Sequence, residues 1–190
     1  MPPLILASTS PWRRRMLESA GLAPQCVAPG VDEQIVHDDN PVSLVRELAR
    51  LKAEAVAATH PLAWVIGADQ VLFDDSGIHG KPPSPEEHLR RLMKMRGQTH
   101  LLVTGYRIIG PGIDVWDHET TRLTLRNDLE EEELRRYVAG GEARNCAGGY
   151  AIEGHGVFLF SIIDGDYFNV LGLPLLRVIR ALRDHGWRYE

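Results

Sequence analysis

The chain has 190 residues, 44% of them hydrophobic and 25% charged, which is the composition of a folded domain with a sizeable core and excludes disorder for most of its length. A formal net charge of −5 argues against a nucleic-acid polymer as partner, since phosphate neutralisation demands a basic surface, but leaves room for a local basic pocket that takes a small phosphorylated ligand. Two cysteines, Cys26 and Cys146, are too few for a disulfide framework and fit no zinc spacing. A reducing, cytoplasmic setting is expected. No membrane association is expected either, because no run approaches the ~18 apolar residues of a span and the first ten residues lack a basic n-region.

Leu4 to Ala7 reads as a short buried strand. Ser10 then caps a helix with Pro11 at its first position, carrying Trp12, Met16, Leu17 and Ala20 on one side and stopping at Gly21. Asn40-Pro41 opens a second helix by the same device, running to about Thr59. Trp64 to Phe73 is apolar on both faces and reads as a central strand between layers. Ser84-Pro85-Glu86-Glu87 is a capping box opening a third helix through Leu89, Leu92 and Met93. Leu101 to Ile109 and Val115 to Leu125 read as strands joined by turn residues Gly110-Pro111-Gly112. Asp128-Leu129-Glu130-Glu131 opens a fourth helix ending at Gly140-Gly141, Gly156 to Ile163 reads as a further strand, and a last helix carries Leu175, Val178, Ile179 and Leu182 to Gly186. Alternating helices and strands give an α/β class with a mixed sheet.

Function is carried by polar groups that interrupt these patterns. The strand, the loop Ser8-Thr9-Ser10 and the following helix N-terminus form a ready anion site, and Arg13, Arg14 and Arg15 follow at once. Cations oppose the dipole there, a cost that a bound polyphosphate would reverse; otherwise the three are solvated surface arginines. On the second helix the stripe is Leu44, Val45, Leu48, Leu51, Ala55 and Val56, and Lys52 falls inside it, either as a paired charge or as a snorkelling stem at the margin. Asp69 interrupts the apolar run VIGADQVLF, so it is satisfied structurally or faces a cleft as a metal ligand or base. Strand alternation puts Asp69 and Gln70 on opposite faces. Asp32-Glu33 lies in a turn after Pro29-Gly30, Lys81 in a loop ahead of a helix, and Glu153 inside a Gly-rich stretch from Gly148 to Gly156.

Taken together, LILASTSPWRR (4–14), VDE (31–33), Lys52 in LARLKAEAV, GADQV (67–71), GKP (80–82), CAGGYAIEG (146–154) and NVLGLP (169–174) resemble the Maf family of nucleotide pyrophosphatases. The resemblance runs in order over residues 4 to about 176. It implies hydrolysis of nucleoside triphosphates to the monophosphate and pyrophosphate with a divalent cation, Mg²⁺ or Mn²⁺. It also implies an elongated mixed sheet of the inosine triphosphate pyrophosphatase-like kind, with two lobes about a central cleft in one domain, and a homodimer. The catalytic aspartate falls on Asp69, with Glu33, Lys52 and Lys81 as catalytic partners, Glu33 and Asp69 as metal ligands, and Ser8, Arg13, Lys52 and Lys81 on phosphate.

Where the common family pattern has SPRR, GADT and an IQG-like segment, this chain has Trp12, Gln70 and Glu153. That combination is similar to the subfamily preferring 7-methyl-GTP. A methylated guanine carries ring charge that an indole face attracts and a carboxylate pairs with. The stretch AGGYAI (147–152) instead resembles relatives directed to dTTP and UTP, which remain the alternative substrates. A nucleotide-binding regulator of cell division is the rival from another class.

Overall fold

A computed structural model describes residues 2–144 and 146–188. Seven strands form one mixed sheet in the order β2-β1-β3-β5-β6-β7, with β4 paired to β3. The strands are β1 (Leu4–Leu6), β2 (Gln25–Cys26), β3 (Trp64–Asp74), β4 (Gly77–His79), β5 (Thr99–Gly110), β6 (Ile113–Leu125) and β7 (Phe160–Asp164). β1 runs parallel to β2 and β3, and every other pair is antiparallel. The helices are α1 (Pro11–Ser19), α2 (Pro41–Ala57), α3 (Pro85–Met95), α4 (Glu131–Ala139), α5 (Tyr167–Val170) and α6 (Leu175–Asp184).

Helix starts follow the capping chemistry of the sequence. Ser10, Asn40 and Ser84 each accept a hydrogen bond from the first turn of their helix, with proline next in line. The fourth helix starts later than its acidic run suggests. Asp128 pairs with Arg126 instead of capping, Leu129 turns into the core, and Glu130 stands at the cap without a side-chain bond. The strand expected from Gly156 also starts later. His155–Leu159 form a 3-10 turn, because Gly156 is pressed against Ala151, whose carbonyl a Cβ would approach to 2.3 Å. β2, β4 and α5 have two to four residues, too few for periodicity to reveal.

One face of the sheet is covered by α2. Its buried residues are Val45, Leu48, Ala49, Lys52, Ala53 and Val56, so Lys52 sits at the middle of the stripe and Ala55 lies outside it. Small residues are required there. A Cβ at Gly67 would stand 2.4 Å from the Ala49 carbonyl oxygen, and one at Gly105 would stand 2.8 Å from the Val45 backbone. Gly67 lies two residues before Asp69 on the same strand face, and Gly105 is the cross-strand partner of Asp69. Bare backbone around Asp69 thus lets the helix sink onto the sheet and bring Lys52 to it.

The opposite face carries two apolar clusters. One joins Leu17, Ile66, Ala68, Tyr106 and Ile108 with α6, and the other joins Leu72, Leu102 and Leu123 with α3 and α4. Between them runs a polar seam. Gln70 Nε2 donates to Thr104 Oγ1 (2.9 Å) and to the Asn169 carbonyl (2.6 Å), and Asn169 Nδ2 donates to Thr121 Oγ1 and the Leu102 carbonyl, each at 3.0 Å. Asp69 and Gln70 therefore do face opposite ways, as alternation requires.

Candidate active site

A cleft of about 800 Å³ opens where β1, β3 and the N-terminus of α1 meet the loops after β2, β4 and α4. Its wall includes Ser8, Trp12, Arg13, Glu33, Lys52, Asp69, Gln70, Lys81 and Glu153, the nine residues given catalytic, phosphate-binding or base-selecting roles above, whereas Arg14, Arg15 and Asp32 do not line it. At its floor, Lys52 Nζ lies 2.5 Å from Asp69 Oδ1 and 2.8 Å from Glu33 Oε1. The Lys52 and Asp69 side chains are 7% and 12% exposed, whereas that of Glu33 is 54% exposed. Glu33 opens a 3-10 turn whose cap is Asp32, with Asp32 Oδ1 accepting from the Gln34 N–H at 3.0 Å. Loop chemistry thus brings a surface carboxylate over a buried lysine–aspartate pair.

The three consecutive arginines have separate fates. Arg13 turns inward: its Nε donates to the Gly172 carbonyl (2.7 Å) and its Nη1 to the Ala68 carbonyl (2.9 Å), with a longer 3.4 Å contact to Ser8 Oγ. Burial pushes its pKa down, and Asp69 and Glu33 pull it back up. Arg14 pairs with Glu18 on the helix exterior, and Arg15 lies over the Trp12 ring at 5.3 Å. Ser8 Oγ accepts from the Ser10 N–H at 3.1 Å, which holds the loop tightly against the helix start. Lys81 is exposed on the far wall and has no carboxylate partner among the described residues. The floor therefore holds two carboxylates against one ammonium, and Arg13 and Lys81 add two positive charges around it, an arrangement suited to a polyanion.

At the other end stand Trp12, half-buried, and Glu153, whose carboxyl burial pushes above its ordinary range. Gln70 also borders the cleft, with its amide nitrogen engaged in the seam. Sequence patterns missed the partners of Gln70, namely Thr104 and Asn169, although a buried asparagine within NVLGLP was a signal available for one of them. They also missed Tyr150, which lines the cleft and is bonded to buried His100 at 2.5 Å.

Two carboxylates converging on one ammonium form an oxygen-donor set of the kind that binds Mg²⁺, which completes its shell with water and substrate phosphates. Among the described residues no group of three or more His, Cys, Asp or Glu could hold a metal alone. Glu33 and Asp69 are the two carboxylates here that could hold a divalent cation, with the rest of its shell coming from elsewhere. No helix among the described residues is long and apolar enough to cross a membrane.

Known proteins similar to this chain span nearly all of it. A dTTP/UTP pyrophosphatase of Geobacillus sp. (strain WCH70) is 42% identical over 98% of this chain and 100% of its own length. A nucleoside triphosphate pyrophosphatase of Synechococcus sp. is 40% identical over 98% and 96%, and a 7-methyl-GTP pyrophosphatase of Rhizobium johnstonii is 37% identical over 97% of each. Among solved structures, the Staphylococcus aureus Ham1 protein aligns with a TM-score of 0.47 and 19% identity over 66% of this chain and 72% of that one, a likeness too slight to build on. The model of the family described as Maf-like protein matches residues 3–185, and the chain belongs to that family.

Proposed function

We propose that this chain hydrolyses the α–β phosphoanhydride of a nucleoside triphosphate, releasing the monophosphate and pyrophosphate, with Mg²⁺ or Mn²⁺ as cofactor. The observation that carries this reading is the Glu33–Lys52–Asp69 cluster at the floor of a cleft also lined by Arg13 and Lys81. The names of the relatives support the same reaction class.

Attack on a polyanion needs charge neutralisation and alignment more than covalent help. Glu33 and Asp69 would hold the cation, which when bound neutralises phosphate oxygens. Asp69 Oδ1 is committed to Lys52, and no described residue donates to Oδ2. That oxygen accepts the proton of a water as its oxygen bonds to phosphorus and the bridging P–O bond breaks. Lys52 compensates the charge of Asp69 and orients its carboxylate. Arg13 and Lys81 hold phosphates and meet the charge on departing pyrophosphate, and Ser8 and its neighbours' N–H groups orient the chain of phosphates.

For the base, we propose 7-methyl-GTP. Trp12 offers an indole face and Glu153 a partly desolvated carboxylate to a cationic purine. A second reading, dTTP or UTP, is favoured by the names of most of the similar relatives. A cytoplasmic location is part of the proposal, supported by the free thiols of Cys26 and Cys146. So is a homodimer, which light scattering on the purified protein tests. The decisive assay gives purified protein and Mg²⁺ a panel of 7-methyl-GTP, GTP, dTTP and UTP and scores pyrophosphate. Release from 7-methyl-GTP above all others is expected. Release only from the pyrimidine nucleotides moves the assignment to the second reading, and release from none removes the enzyme reading.

A further inference from the structure

Two loops far apart in sequence contribute to the lining of the cleft, and one helix bonds to both. Gly80-Lys81-Pro82 lies between β4 and α3, and Ala147-Gly148-Gly149 follows α4. From α3, Arg91 Nη1 donates to the Gly80 carbonyl at 2.7 Å and to the Ala147 carbonyl at 3.3 Å. One turn earlier, His88 Nε2 meets the Gly149 carbonyl at 2.5 Å. A carbonyl can only accept, so this nitrogen carries the ring proton. The loops also lie close together, since a Cβ at Gly149 would lie 3.7 Å from the Pro82 ring and 2.9 Å from His88 Nε2. Gly149 sits at φ +73°, a conformation that suits glycine, so its carbonyl is aimed by backbone geometry at the histidine. Neither Arg91 nor His88 lines the cleft, so neither touches a ligand in it.

We propose that Arg91 is a positioning residue that clamps the Lys81 loop to the second loop at the Ala147 carbonyl and so holds the Lys81 ammonium towards the phosphate path. The inference rests on the reading of the cleft as a triphosphate site. The physical need is plain. Lys81 is exposed on a loop and has no ion pair of its own among the described residues. A flexible ammonium loses much of its value to catalysis unless its backbone is fixed, because a displacement of about 1 Å can cost about 100-fold in rate. Arg91 touches the carbonyl of the residue directly before Lys81. Its partner carbonyl at Ala147 belongs to the segment that carries Glu153 into the same cleft. His88 adds a second hold on that segment, in a buried position where desolvation pushes the imidazole pKa down.

The test uses the full chain with Arg91→Met, which keeps the apolar stem and removes the donors. Without nucleotide, amide hydrogen exchange across residues 78–83 and 146–150 is expected to accelerate together by about tenfold, while amides of β3 and β5 keep their protection and the urea midpoint holds. With nucleotide and Mg²⁺, kcat is expected to fall about tenfold with a smaller change in KM. In a Lys81→Ala background the same substitution is expected to cost less than about twofold more, because its effect passes through Lys81. Arg91→Lys, which keeps charge and stem, is the second variant should Arg91→Met fail to fold, and its kcat is expected to lie between the two. Unchanged exchange in either loop, or a full multiplicative loss in the Lys81→Ala background, overturns the clamp. A wild-type protein that hydrolyses no nucleotide sinks the functional reading instead, and leaves the exchange result to judge the clamp by itself.

Discussion

Replacing Lys52 by methionine removes the one ammonium that touches both floor carboxylates while nearly preserving side-chain volume. Two contributions to its cost differ in size. The contact with Asp69 is buried on both sides, and breaking such a pair from one end costs about 3–5 kcal/mol, since the partner charge is left uncompensated. The contact with Glu33 involves a carboxylate 54% exposed, so solvent screening reduces it to about 0–1 kcal/mol. Arg13 nearby offsets part of the loss at Asp69. The low end, about 3 kcal/mol, is therefore expected, which for a domain of this size lowers Tm by about 6–12 °C. Urea denaturation of the wild type, Lys52→Met, Asp69→Asn and the double variant measures it. The double variant should be more stable than the sum of the two singles predicts, by about 1 kcal/mol or more, because it leaves neither charge orphaned. A single-variant cost under about 0.5 kcal/mol, or strict additivity, would refute the reasoning that the pair is buried and mutually dependent.

Gly67→Ala introduces a Cβ 2.4 Å from the Ala49 carbonyl, so α2 must lift from the sheet. A loss of about 1–3 kcal/mol in urea unfolding is expected, together with a fall in kcat as Lys52 and Asp69 separate. His100 is buried against Tyr150, and burial pulls its pKa down from 6.5 to about 4. The unfolded chain therefore takes up a proton near pH 6.5 that the folded chain refuses, so stability is full above about pH 6.5 and falls as pH drops towards 4. The loss approaches about 3 kcal/mol from this group, and His100→Gln should flatten the slope of unfolding free energy against pH. Carrying Trp12→Arg, Gln70→Thr and Glu153→Gln together is expected to lower kcat/KM for 7-methyl-GTP by about tenfold or more and to raise that for dTTP, measured as pyrophosphate release. Loss of all activity equally would assign the three residues to something other than base choice.

What was legible in the sequence follows the physics of regular elements. Asp69 stands out because a carboxylate in an apolar strand breaks a pattern, and the structure puts it under Lys52. Periodicity along α2 favours its large residues, and the expected stripe includes Ala55, which lies outside the buried face. Val45, Leu48 and Val56 are buried as read, but Ala49 and Ala53 are buried with them, packed against Gly67 across the interface, which no local window reveals. Glu33 and Lys81 lie in loops, where no periodicity marks a residue, and only the family resemblance singled them out. Nor can spacing along α1 say which of three successive arginines turns inward. That choice is made by the carbonyls of Ala68 and Gly172, which come from distant parts of the chain. The same holds for the polar seam, where Thr104 and Asn169 orient Gln70 through contacts that exist only once the strands have paired.

The most direct measurement of the central proposal is turnover of 7-methyl-GTP with Mg²⁺ by the wild type and by Asp69→Asn, resolving pyrophosphate from orthophosphate and checking each protein's fold by circular dichroism. Monophosphate and pyrophosphate are expected as the only wild-type products, with a loss of about 10²–10⁴-fold in kcat for a folded variant that still binds nucleotide. Near-normal turnover by Asp69→Asn, or orthophosphate as the product, would contradict the proposal.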